Sequence, residues 1–345
     1  MSGSARWRDE LPADLRDDVD LADRRLGAGV VAANDETFAE KENLVQPHDP
    51  AFVPNTFGHK GQVYDGWETR RRREPGADWV VVRLGAPGVV SAAVVDTAHF
   101  TGNYPPECEL HACWAPGWPS PAELEGQWVP LVPRSPLGGD SRNLLRPARR
   151  LRATHVRLTI HPDGGVARLR VLGEVLPDPS RWAALGLDLA GLVNGARVVD
   201  CSDRFYSPAE QVILPGSAAS MGEGWETRRR RGTGNDWLLL RLTGPGRVRV
   251  VELDTTHFVG NAPGAVRLTG CAGDPASGPP WVELLPRTRL QPDTPQWFSL
   301  SDPPVVTHVR VDTFPDGGLA RLRLLGHLTD EGLAAVRSRW AGEAG

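Results

Sequence analysis

The sequence predicts an all-β protein built from two tandem, homologous jelly-roll β-sandwich domains that derive from an internal duplication. Three observations carry this expectation. Gly66 to Asn103 shares 22 of 38 residues with Gly224 to Asn261 at an offset of 158, and Thr154 to Val175 shares 14 of 22 with Thr307 to Leu328 at an offset of 153. A period this long lies far beyond the ~20 to 50 residues of solenoid repeats, so each copy should own a core. The apolar runs are short, and the 38 Gly and 31 Pro in 345 residues supply the turns between them.

In chain order, the polar start "MSGSARWRDELPADLRDD" precedes a first domain placed at residues 15–176. Its opening segment "NDETFAEKENLV" has a weak counterpart in "SDRFYSPAEQVI", and only the first copy then carries the insertion "QPHDPAFVPNTFGHKGQVYD". The blocks "DWVVVRL" and "DWLLLRL" read as buried strands, and "THVRLTI" and "VARLRVLGEV" alternate apolar with polar residues. The "HPDGG" between the last two is an Asp-Gly hairpin signal. A proline-bearing linker is placed at 177–189, the second domain at 190–328 and a C-terminal helix and tail at 329–345. Thr329 is the expected N-cap of that helix, with Leu333, Val336 and Trp340 on one face.

Composition narrows the function classes. The net charge of −4 argues against a partner held by a phosphate backbone, so the arginine runs are local features. No apolar run approaches the ~20 residues of a spanning helix, and the acidic N-terminus lacks the pattern of an export signal, so a cytoplasmic protein without membrane partners is expected. Cys108, Cys113, Cys201 and Cys271 lack zinc-site spacing and are expected as buried thiols. Exposed sheet faces and the apolar linker are compatible with a homo-oligomer.

The block "GWETRRRR" occurs twice. Taken as a strand, it puts Glu68, Arg70 and Arg72 on one face and Thr69, Arg71 and Arg73 on the other. Arg70 or Arg72 could then clamp a small carboxylate, for which a planar, always-charged guanidinium is suited, while other arginines pair with neighbouring carboxylates. The second repeated constellation, "VDTAHFTGN" and "LDTTHFVGN", follows a strand and places Asp96, His99 and Asn103 at its end or in the loop beyond. Asp96 could orient the His99 imidazole if the chain bends there, and the opposite expectation is a structural Asp-Thr turn. His155 and His308 are expected as structural strand residues, and Asp163 and Asp316 as turn formers. A metal site from His99, Asp96 and Glu68 is an alternative without diagnostic spacing. No phosphate loop, dinucleotide fingerprint, nucleophile elbow or HExxH is present.

Several long segments, in order, resemble the allantoicase family: "LGAGVVAANDETFAEKENLV", "DGWETRRRREPGADWVVVRLGAPG", "VDTAHFTGNYPPE", "LLPRTRLQPDTPQWF" and the two "PDGG" segments followed by "ARLR". The resemblance spans about Leu26 to Leu328 and includes the duplication. It implies two jelly-roll domains and hydrolysis of the small molecule allantoate to ureidoglycolate and urea in purine degradation. For that chemistry the candidate catalytic residues are His99, Glu68 and Asp96, and the candidate substrate-binding residues are Arg70, Arg72 and Asn103 with Arg228, His257 and Asn261 of the second copy. No cofactor is implied, with a divalent metal as the alternative way to activate water. The first copy, or a site using both copies, is favoured over the second alone, because His48, His59, Lys60, Tyr104, Glu107 and His161 have no polar counterpart in the second. The rival expectations are a related urea-releasing hydrolase acting on ureidoglycolate, and a non-catalytic sandwich that binds carbohydrate or another small ligand through its tryptophans.

Overall fold

The computed structural model describes residues 6–182 and 186–342. The chain divides into two units between Val175 and Leu176, and each is a β-sandwich with the same strand order. In the first, the 19-residue strand Asp78–Asp96 is the spine. Its N-terminal half pairs with Leu151–His161 and Gly29–Ala33, and its C-terminal half with Arg168–Val175 and Arg142–Leu145. Glu107–Cys113 and Val129–Pro136 extend the sheet beyond Leu151–His161. Asp236–Asp254 plays the same part in the second unit, between Val306–Phe314 and Arg321–Leu328.

The spine is a strand because its runs of Val and Leu can be buried from both sides. Val80, Val82, Leu84 and Val90 are buried on the core side, and Val81 packs beneath Cys113 and Leu124. Each such side chain contributes roughly 1.5 to 3 kcal/mol. Cys113 and Cys271 hold the same position, opposite His155 and His308 in adjacent strands. Cys108, Cys113 and Cys271 are buried as expected, with the Cys108 thiol pushed up to about 12 by burial, whereas Cys201 is only half-buried. The C-terminal helix Asp330–Ala341 starts where expected, with the Thr329 hydroxyl accepting from the Gly332 N–H and Val336 buried.

Two local expectations are overturned. The strand in "GWETRRRR" ends at Glu68, because the backbone N–H of Arg70 goes to the Asp35 carboxylate at 3.0 Å and that of Arg72 to Asp163 at 2.8 Å, not to a neighbouring strand. The arginines therefore do not alternate across a sheet. Nor does "HPDGG" close a hairpin: the strands it joins lie on opposite sides of the spine, and the short strand Gly165–Val166 pairs instead with Trp67–Glu68. Asp163 and Asp316 are thus caps of the arginine loops, Asp316 accepting from Arg230 N at 2.6 Å. This crossing requires glycine: a Cβ at Gly165 would collide with the buried Phe100 ring, and one at Gly318 with Phe258.

Candidate active site

Two segments of the first domain meet Glu68, Phe38–Ala39 through backbone hydrogen bonds and the loop after Asp96 through Asn103, and the insertion ahead of the arginine block meets that same loop at His99. Glu68 is 9% exposed, and its Oε1 accepts from Asn103 Nδ2 at 2.7 Å. Burial raises the Glu68 carboxyl above the usual range, and the Asn103 donor offsets this only in part. The second domain repeats the pair, Asn261 donating to Glu226 at 2.6 Å, but Glu226 is less buried.

Arg70 is 75% exposed at its side chain, with Nε 3.2 Å from Asp35. Asp35 also accepts from the backbone and hydroxyl of Thr37, and its own carbonyl accepts from the buried Trp67 Nε1. Backbone and side chain of Arg70 are therefore oriented while most of the guanidinium edge faces solvent. Arg228 stands on Asp203 in the same way, at 3.5 Å. Arg72 is ion-paired with the buried Asp78 at 2.6 Å, as Arg230 is with Asp236, so each guanidinium is already engaged by a carboxylate of its own domain, unlike the more exposed Arg70. Arg71 and Arg73 are exposed and make no hydrogen bond or ion pair among the described residues.

His99 lies in a left-handed turn, φ 70°, with its backbone N–H bonded to Asp140 at 2.7 Å. Its ring Nε2 meets the Pro50 carbonyl at 3.2 Å, and the ring stacks on Phe52, which stacks in turn on Tyr64. A carbonyl can only accept, so Nε2 carries a proton, and Nδ1 is the nitrogen that holds the lone pair when the ring is neutral. Asp96 does not orient this ring. Its Oδ1 accepts from Ala98 N at 2.8 Å, its other oxygen lies 3.4 Å from Arg142 Nε, and burial pushes its carboxyl up. His99, Asp96 and Glu68 likewise do not converge as a ligand set, and no group of three His, Cys, Asp or Glu suited to a metal occurs among the described residues. His257 repeats the turn at φ 75° with Nε2 on the Ala218 carbonyl, but with no aromatic ring stacked on it among the described residues.

Several residues that shape the site escaped the sequence reading: Asp35, Pro50, Phe52, Tyr64, Asp140 and Arg142. Two left a signal: Asp35, the Asp shared by "NDET" and "SDRF", and Asp140, which has Asp293 at the 153 offset, where it bonds the His257 N–H in the same way. The first-copy polar groups are largely structural. Glu107 pairs with Arg134, His161 with Glu109, Lys60 with Glu40, and the His48 ring contacts Arg168.

The family model for the allantoicase repeat matches residues 19–176 and 187–329, one match per domain. The chain belongs to the allantoicase family. A probable allantoicase of Nocardia farcinica is 56% identical over 90% of this chain and 94% of its own, and one of Streptomyces avermitilis is 51% identical over 93% and 89%. The crystal structure of allantoicase from Saccharomyces cerevisiae superposes with a TM-score of 0.78 at 34% identity, covering 90% of this chain and 93% of that one. Tandem β-sandwiches are thus the fold of this family member, and it is a hydrolase acting on a small molecule. Among the described residues no helix is long and apolar enough to cross a membrane.

Proposed function

We propose that this allantoicase-family chain hydrolyses allantoate to ureidoglycolate and urea, an amidinohydrolase reaction, and that the first domain carries the acid and base. The observation that supports this most is the Glu68 carboxyl: burial keeps it protonated to a higher pH than an exposed glutamate, as a general acid needs. Glu68 gives its proton to one ureido nitrogen, the C–N bond to the central carbon breaks, and urea leaves. The remaining ureido nitrogen donates its lone pair and stabilises the iminium-like carbon. Water adds to that carbon and loses a proton to Nδ1 of the neutral His99 ring, a role supported by the Pro50 contact that engages Nε2 as donor. Proton exchange with solvent then restores both groups. Arg70, solvent-facing but fixed on Asp35, holds the substrate carboxylate, and Asn103 orients the acid. Asp96 serves the turn and not the chemistry.

The test is urea release from allantoate by purified protein, before and after chelation, with ureidoglycolate identified as co-product. Turnover that survives chelation supports the side-chain mechanism, and loss restored by a divalent ion would transfer water activation to a metal. Urea from ureidoglycolate but not from allantoate would replace the substrate, and no urea from either would refute the assignment.

A further inference from the structure

We propose that Arg142 is a positioning residue for this reaction, strapping the first domain's site loop and its N-terminal segment to the base of the His99 turn. The inference rests on the assignment of His99 to the site. Arg142 opens the strand Arg142–Leu145 and sits opposite Asp96 in the sheet register. Its guanidinium reaches three carboxylates on three separate parts of the chain: Glu10 at 2.6 Å, Asp49 at 3.5 Å and Asp96 at 3.4 Å. Asp49 is the neighbour of Pro50, whose carbonyl fixes the His99 ring, and Asp96 caps the turn that carries His99. One planar cation therefore holds both ends of the His99 support, a task for which the five fixed donors of arginine are suited and a neutral side chain is not.

The second domain shows what the strap is for. There Pro295 stands opposite Asp254, so the position has no side-chain donor, and the loop that holds His257 is short and fastened at the Gly216 carbonyl by Arg321 and Arg323. The longer first-domain loop has the matching anchors, Arg168 on the His48 carbonyl and Arg170 on the Gln46 carbonyl, and Arg168 also grips Asp65, whose carboxylate accepts from Ala51 N; none of these bonds engages the Asp49 side chain. Arg142 adds the hold at Asp49 itself. The segment recruited through Glu10 precedes the first repeat and packs Trp7, Leu11 and Leu15 on Ala92, Val94 and Leu172 of the sheet. Arg146 clasps the same segment through Asp14 at 2.8 Å but makes no hydrogen bond or ion pair with the site loop among the described residues, which makes it the natural control.

The experiment compares R142Q, R142K, D49N, R142Q/D49N and R146Q for turnover of allantoate and for hydrogen exchange of residues 46–53. R142Q and D49N should each lower kcat about tenfold with KM changed less than about twofold, because orientation and not substrate contact is lost. The double variant should be no slower than R142Q, R142K should recover part of the loss, and exchange in 46–53 should quicken in R142Q and D49N but not in R146Q. Wild-type kcat in R142Q, an equal loss in R146Q, or losses that multiply in the double variant would each overturn the proposal. If R142Q does not fold, D49N against R146Q decides alone. Exchange is read whether or not the protein turns allantoate over, so failure of the strap and failure of the assigned reaction are separable.

Discussion

His155 should set an acid limit on stability that is independent of the chemistry. The ring is fully buried between the spine strand and Glu107–Cys113, with Nδ1 on the Thr154 hydroxyl at 2.9 Å and Nε2 without a hydrogen bond among the described residues. Burial, and then the Arg83 charge, lower it from 6.5 to about 4. A group whose folded value is depressed gives stability that is complete above the unfolded value and is lost as pH falls toward the folded one, because the unfolded chain takes the proton first. Between 6.5 and 4 the loss grows with each pH step, and at pH 5 it amounts to about 2 kcal/mol. His155→Gln cannot titrate, so whatever it costs at neutral pH, it should remove this slope. The assay is hydrogen exchange of the strand Leu151–His161 in wild type and variant at about pH 7.5 and pH 5, corrected for intrinsic exchange rates. Identical pH dependence in the two proteins would refute the reasoning and show that the ring is charged, or solvated, when folded.

Other expectations follow from the same geometry. Asn103→Ala deletes the donor that favours ionised Glu68, so the alkaline limb of the kcat/KM profile should move to higher pH; a limb that stays put would separate Glu68 from that ionisation. Arg72→Gln leaves the buried Asp78 carboxylate without its guanidinium and should destabilise the first domain by about 1 to 3 kcal/mol in denaturant unfolding, with KM for allantoate unchanged once folded. Gly165→Ala should cost a further ~1 to 3 kcal/mol through collision with Phe100, read as a lower unfolding midpoint. His99→Ala should lose far more activity than His257→Ala, and equal losses would make both rings structural.

The two-domain β architecture was legible because duplication and hydrophobic patterning are local properties of the chain. The helix start at Thr329 was legible for the same reason. The arginine block reads as a strand and is not one, since nothing near it in sequence reveals that Asp35 and Asp163 take the Arg70 and Arg72 N–H groups. The supposed Asp96–His99 couple failed likewise: three-residue spacing permits the contact, but Ala98 N and Arg142 occupy Asp96, and the ring turns to Pro50. Of the candidate residues, Glu68 and Asn103 are directly bonded, and Asn103 follows in the loop that carries His99. Partners that lie tens of residues away, as Pro50 and Arg142 do from His99, leave no periodic trace, so site geometry is where sequence alone falls short.

The most direct measurement of the central claim is kcat/KM for allantoate in Glu68→Gln beside Glu226→Gln. Gln keeps the size of the side chain and its bond to Asn103 or Asn261 through its amide oxygen, but removes the transferable proton. If the first domain supplies the acid, Glu68→Gln should fall by about 10² to 10⁴ while Glu226→Gln changes by a far smaller factor. Equal losses, or a loss confined to Glu226→Gln, would contradict the assignment of the chemistry to the first domain.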